Sequence, residues 1–175
     1  MVVDRRRAGQ SLSARCRDIY DSHRHRAFAL AYYMTGNELT AEQILTGTFV
    51  RAFQAVQEPT GRDVDFALLE ELRQKSYLAF NPTAPSSLPQ MHSADSSGNL
   101  TGRNVKRTEL EEAVWGLPPS ERLLFLLRDV EGYTSAAIAQ LLAMPEPQVQ
   151  HDVFAARIHL RRLLAAAQAN RAEAA

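Results

Sequence analysis

The C-terminal part of the sequence holds the polar side chains best suited to recognising another molecule. Gln148, Gln150 and His151 lie close together, and Arg157 and Arg161 follow at helical spacing. Glutamine can form two hydrogen bonds with an adenine edge in the major groove of DNA, and arginine binds phosphate. The same residues would also suit the solvated side of an ordinary helix, with the arginine stems lying over apolar neighbours. The chemistry indicated is recognition, with DNA as one candidate ligand.

No group of residues indicates an enzyme. The sequence shows no nucleophile beside a base, no paired carboxylates in a pocket context and no phosphate-cradling glycine loop. His23 and His25 are two residues apart and would face different sides of a helix, so we do not expect them to share a metal. Cys16, the single cysteine, should be a small buried hydrophobe. We therefore predict no cofactor, no metal site and no small-molecule substrate.

The elements around the recognition residues have the pattern of a helix-turn-helix. A helix should open at residues 118–120, and residues 131–133 should form a turn. Thr134 can cap a brief helix, and Pro147 suits the first position of a longer last helix. A short helix, a tight turn and a longer helix are typical of this DNA-binding motif. The predicted inward residues of this part are Leu123, Leu124, Leu127, Val130, Ile138, Leu141, Leu142, Val149, Val153, Ala156, Leu160 and Leu163.

The N-terminal part also has helical periodicity, and nothing alternates for long enough to suggest a strand. Residues 36–37 should end the first helix, and Asp65 should cap a third. A capping box at Thr40 with Gln43 should open the second helix of this part, and a box at Thr108 with Glu111 should open the first short helix of the C-terminal part. The predicted inward residues are Ile19, Ala27, Leu30, Met34, Leu45, Phe49, Ala52, Phe53, Val56, Phe66, Leu69, Leu72 and Phe80.

Composition places the protein among ordinary globular chains. The 175 residues carry 20 basic and 20 acidic side chains and are 45% hydrophobic. No run approaches the roughly 18 apolar residues that a membrane span needs, and the basic start lacks the apolar stretch of a signal peptide. We expect a cytoplasmic protein without a membrane partner. Residues 108–175 carry six basic and nine acidic side chains, so their net charge is −3.

Residues 81–107 divide the chain. They contain three prolines, five serines and two glycines and few large apolar side chains, which is typical of a flexible linker. The sequence therefore predicts an all-α protein of two small helical domains. The predicted division is a disordered basic arm at 1–13, a helical domain at 14–80, the linker at 81–107, a helix-turn-helix domain at 108–166 and a tail at 167–175.

Several of these segments resemble the extracytoplasmic-function (ECF) sigma factors of the sigma-70 family. Residues 117–122 and 125–133 resemble region 4 of that family, and residues 31–36 and 49–53 are similar to region 2. The order of the segments and the linker between them also fit, over residues 14–166. The resemblance implies an initiation factor whose region 2 binds core RNA polymerase and whose region 4 reads promoter DNA. It implies Glu42 and Arg51 as polymerase contacts, and Gln148, Gln150, His151, Arg157 and Arg161 as DNA contacts.

The chain departs from the family pattern at the contact residues. Of the family's acidic helix only Glu42 remains, and residues 66–74 lack the tryptophan and asparagine of the promoter-melting helix. The last helix, which reads DNA in the family, lacks cations that the family has there, and Asp152 would repel phosphate if it faced DNA. An anion in the early turns of a helix is also mildly favourable, so a structural role would suffice for Asp152. Three hypotheses therefore stay open: a sigma factor with altered recognition residues, a sigma mimic that binds an anti-sigma factor with little DNA or polymerase binding, and an unrelated helical regulator that binds DNA without polymerase.

Overall fold

A computed structural model of the protein describes residues 3–75 and 105–173. These residues form helices joined by short turns, and no strand occurs among them, which confirms the all-α prediction. The chain divides into two compact units, Met1–Ala79 and Phe80–Ala175. The predicted linker lies outside the described residues, except for its last three positions.

The first unit contains three mutually packed helices: α1 (Val3–Thr35), α2 (Glu38–Ala55) and α3 (Gly61–Gln74). Thr48 is the one buried polar residue described in this unit, and its hydroxyl donates to the Ile44 carbonyl oxygen over 2.7 Å. The buried apolar side chains form one core: Ala27, Leu30, Ala31, Met34, Ala41, Ile44, Phe49, Ala52, Val64, Ala67, Leu68, Leu69 and Leu72.

The caps of α2 and α3 lie upstream of the predicted ones. Asn37 caps α2, because its side-chain oxygen accepts the Thr40 backbone N–H over 2.9 Å. Thr60 caps α3, and the Asp63 carboxylate accepts the Thr60 backbone N–H over 2.8 Å. The predicted caps at Thr40 and Asp65 are therefore wrong, since each lies inside a helix that an earlier residue already caps. Two side chains predicted inward are exposed. Val56 lies beyond the end of α2 as its extended C-cap, and Phe66 lies on the solvent side of α3.

The ends of the chain are more helical than predicted. Helix α1 begins at Val3, which differs from the expected disordered arm over residues 1–13. The last helix continues to Glu173, which differs from the expected tail over residues 167–175. Arginines, alanines and glutamines have good helix propensity, so these polar ends can extend a helix already nucleated by its packed part.

The second unit contains α4 (Arg107–Gly116), α5 (Pro119–Phe125), a π-helical turn (Leu126–Val130), α6 (Ser135–Leu142) and α7 (Glu146–Glu173). Helices α4, α5 and α6 all pack against α7. The buried apolar side chains are Ala113, Val114, Leu117, Leu123, Leu124, Leu126, Leu127, Ile138, Ala139, Leu141, Leu142, Met144, Val149, Val153, Ala155, Ala156, Leu160 and Leu164.

The helix starts in this unit match the sequence predictions in part. Thr134 caps α6 by accepting the Ala137 N–H over 3.1 Å, as predicted. The predicted box of Thr108 and Glu111 is wrong, because α4 starts at Arg107 and the Glu109 carboxylate accepts the Lys106 N–H. Pro147 is the second residue of α7 rather than the first. Within the described ranges, no helix is long and apolar enough to cross a membrane.

The inward prediction for Val130 is also wrong, since this side chain is 60% exposed. Residues 126–130 form a π-helical turn, in which the Glu131 N–H donates to the Leu126 carbonyl oxygen over 2.9 Å. A π-turn holds one residue more than an α-helical turn, so an α-helical spacing fails beyond it. The Arg128 guanidinium donates to the Tyr133 carbonyl oxygen over 2.8 Å and closes the turn that leads into α6.

Candidate nucleic-acid interface

Helices α6 and α7 form the helix-turn-helix. Ala143 ends α6 in the left-handed conformation, with φ of 54°, and the Met144 N–H donates to the Ala139 carbonyl oxygen over 2.9 Å. Helix α7 begins three residues after Ala143 and is 28 residues long. In this motif the second helix lies in the major groove, and its N-terminal residues contact base edges.

One face of α7 is open to solvent while the other is buried in the domain. The exposed face begins with Glu146 and Pro147 and continues at spacings of three to four residues with Gln150, Phe154, Arg157 and Arg161. The first half of this face holds an anion and no cation, and the cations begin only at Arg157. Its phosphate-binding capacity is therefore concentrated in the middle of the helix.

The three predicted base-reading residues differ in accessibility. Gln150 is exposed, and its amide Nε2 donates to Glu146 Oε1 over 3.3 Å. Gln148 and His151 are half-buried on either side of it. The structure therefore brings all three to the start of α7, with Gln150 alone at the centre of the exposed face.

The two predicted arginines also differ. Arg157 donates from Nε to Asp129 Oδ2 over 3.0 Å and from Nη2 to Oδ1 over 2.5 Å, a two-bond fork across 28 residues of sequence. These hydrogen bonds raise the pKa of Arg157 above its ordinary value. Arg161 is exposed and makes no ion pair within the part of the chain that the structure describes.

Asp152 does not lie where the sequence analysis expected it. The residue is only 7% exposed, because it falls on the same side of α7 as Val149 and Ala156. The expected repulsion between this carboxylate and phosphate on the reading face is therefore wrong. Its side chain has no hydrogen bond or ion pair among the described residues.

Sequence reasoning did not select Phe154 as a site residue, although it is the most exposed aromatic side chain described in the second unit, at 56%. The sequence spacing could have identified Phe154, because it lies four residues after Gln150 and three before Arg157 and so shares their helix face. An exposed aromatic ring on such a helix can contact a thymine methyl group or an apolar partner surface.

Contacts behind α7 fix its position against α5, and α5 is in turn held against α4. His159 Nδ1 and Glu121 Oε2 are 2.6 Å apart. The Arg122 guanidinium donates to the carbonyl oxygens of Trp115 and Leu117, over 2.5 and 2.9 Å, and its burial lowers the pKa of Arg122. A rigid scaffold behind a recognition helix lets its exposed residues keep a defined geometry.

The two predicted polymerase contacts in the first unit lie on different sides of α2. Glu42 is exposed, and its carboxylate has no partner among the described residues. Arg51 is nine residues further on, about two and a half helical turns. Its guanidinium donates to Glu71 Oε1 and to Gln74 Oε1, so it joins α2 to α3. The structure therefore does not bring Glu42 and Arg51 together.

The exposed side of α2 mixes apolar and uncharged polar residues with two acidic ones, Glu38 and Glu42. Leu39 is 66% exposed and Val50 is 50% exposed, with Gln43 and Thr46 between them. No cluster of three or more histidine, cysteine, aspartate or glutamate side chains in the described ranges could hold a metal ion.

The fold and the exposed α7 face define an all-α protein with a helix-turn-helix domain. Residues 107–160, from α4 to the middle of α7, match the family described as sigma-70, region 4. The chain is also 25% identical, over 167 residues and 90% of its length, to the ECF RNA polymerase sigma factor SigE of Mycolicibacterium smegmatis, and spans 65% of that protein. The second unit thus matches the sigma-70 region 4 family, and the chain is similar to an ECF sigma factor along most of its length.

Proposed function

We propose that the protein is an RNA polymerase sigma factor of the ECF type, which directs core RNA polymerase to promoters and contacts promoter DNA through α7. The observation that carries this proposal is the region 4 match over the helices that present α7. The similarity to a sigma factor extends over 90% of the chain and so includes the first unit, which favours this function over a regulator that uses the second unit alone.

In this proposal, residues 108–166 form the DNA-binding domain. Gln150 reads a base edge in the major groove, with Gln148 and His151 beside it, and Arg157 and Arg161 contact phosphates further along α7. The net charge of −3 over residues 108–175 makes the affinity of the isolated protein for DNA low, so polymerase must supply most of the binding.

Residues 14–80 form the polymerase-binding domain, and residues 81–107 link it to the DNA-binding domain. Glu42 contacts polymerase directly from the exposed side of α2. The Arg51 side chain is 39% exposed, and it contributes from the opposite side while Glu71 holds its guanidinium.

The test is direct binding of the full chain to core RNA polymerase from M. smegmatis. It is done at about 150 mM salt, where charges are screened about as they are in the cell. We expect saturable binding and promoter-dependent initiation by the complex. Glu42→Lys should weaken binding, whereas Glu58→Lys is a matched charge reversal outside α2, although it also removes the exposed Arg15–Glu58 pair. No binding by the folded wild-type chain would overturn the proposal.

A sigma mimic that binds an anti-sigma factor is a second candidate, favoured by the exposed Phe154 and by the low positive charge of α7. An apolar ring among few cations suits a protein surface better than a phosphate backbone. The mimic predicts a stoichiometric complex with an anti-sigma protein and little binding to polymerase or DNA. The polymerase experiment therefore separates the two candidates.

A further inference from the structure

The Asp129–Arg157 pair lies at the point where the exposed face of α7 gains its first cation. The Arg157 side chain is 45% exposed and that of Asp129 is 25% exposed, so both groups lie at the surface of the domain. A fork with two N–H bonds to one carboxylate is the geometry by which arginine also binds phosphate. Asp129 thus occupies the groups that Arg157 would offer to DNA.

We propose that Asp129 masks Arg157, so that α7 meets DNA with one cation fewer than its sequence shows until the pair opens. The inference rests on the proposed DNA-binding role of α7. A phosphate approaching the paired Arg157 also approaches the Asp129 carboxylate, and the repulsion between the two anions offsets the attraction to the guanidinium. Asp129 therefore acts through Arg157 and lowers affinity for every DNA sequence alike.

The turn that carries Asp129 is held by hydrogen bonds that do not involve the Asp129 side chain. The Leu126 carbonyl oxygen accepts the Glu131 N–H, the Tyr133 N–H donates to the Leu127 carbonyl oxygen over 3.0 Å, and Arg128 holds the Tyr133 carbonyl. Removing the charge of Asp129 by Asp129→Asn should therefore leave the fold intact while releasing Arg157.

The test measures the affinity of the full chain for a duplex of about 30 base pairs of arbitrary sequence, between about 20 and 200 mM salt. Each additional phosphate contact steepens the dependence of log affinity on log salt by about 0.9, which is about eightfold at 100 mM. Asp129→Asn should show this gain. Arg157→Gln leaves the Asp129 carboxylate unpaired and should not strengthen binding. In the Arg157→Gln background, Asp129→Asn should give a clearly smaller gain than in the wild type, because no arginine is released.

Glu112→Gln is the matched control, since it removes one exposed negative charge of the same unit at a residue without a partner among those described. It should leave the salt dependence near that of the wild type. Weaker binding by Asp129→Asn would show that Asp129 orients Arg157 toward phosphate and would overturn the masking. An absence of DNA binding by Asp129→Asn at the lowest salt would overturn it too. Polymerase binding, measured on the same proteins, decides the proposed function separately.

Discussion

Arg51 and Glu71 join α2 to α3 directly above Gly47. The Arg51 Nε and Nη2 atoms lie 3.1 and 2.9 Å from Glu71 Oε1. A Cβ atom at Gly47 would lie 2.6 Å from Glu71 Oε2, closer than two such atoms can approach. The glycine is therefore what allows the Glu71 carboxylate to lie over α2 and reach Arg51.

Gly47→Ala should destabilise the protein, or leave it unchanged, despite the usual gain of about 1 kcal/mol from replacing a glycine inside a helix. The new methyl group displaces Glu71 from Arg51 and removes a half-buried ion pair. Urea unfolding measures the change. The same substitution in a Glu71→Ala background meets no carboxylate and should stabilise, so a gain from Gly47→Ala in the wild type would contradict the packing argument.

Asp152→Asn should raise the free energy of unfolding at neutral pH by up to about 1 kcal/mol. The residue is only 7% exposed and its carboxylate has no partner among the described residues, and a neutral amide is less costly to hold in such a position than a partly desolvated, unpaired charge. Asp152→Arg should destabilise by about 2–4 kcal/mol, because a larger cation must enter the same buried position. Equal stability of the Asn and Arg variants in urea unfolding would contradict the burial of this residue.

Helix positions followed from hydrophobic periodicity because amphipathic stripes mark the buried side of each helix. Helix starts were less predictable, since Asn37 and Thr40 are both good capping residues and only the packed helix decides between them. The exposure of Val130 depends on the π-helical turn, and hydrophobic periodicity does not predict where such a turn occurs.

The placement of three candidate residues on one helix face was predictable from the sequence, but their pairings were not. Gln150, Arg157 and Arg161 do share the exposed face of α7. The pairing of Arg157 with Asp129 depends on how α7 packs against the preceding helices, across 28 residues. The burial of Asp152 depends on the same packing, so the sequence alone could not decide between a phosphate-facing and a structural position for that residue.

Gln150→Lys should tighten binding to any duplex and steepen its salt dependence by about 1, because the exposed residue would add a cation where α7 has none. Fluorescence anisotropy across a salt series measures both effects. Gln140→Lys adds the same charge on α6, where Gln140 is also exposed, and serves as the matched control. Equal gains from the two lysines would mean that α7 has no privileged contact with DNA.

The Glu109 carboxylate makes the stability of the second unit depend on pH. It accepts the Lys106 N–H over 3.1 Å and an Arg171 hydrogen bond over 2.9 Å, which hold the pKa of Glu109 below its ordinary value of 4.5. A carboxyl with a lower pKa in the folded state adds stability above its unfolded pKa, and that stability is lost as the pH falls through the folded value. Thermal melts between about pH 3 and 7 should therefore show a shallower acid loss for Glu109→Gln than for the wild type. Arg171→Ala should reduce the acid loss only in part, because the Lys106 N–H, the larger cause of the lowered pKa, remains. If Glu109→Gln lost stability at low pH as steeply as the wild type, Glu109 would not anchor the end of α7 to α4.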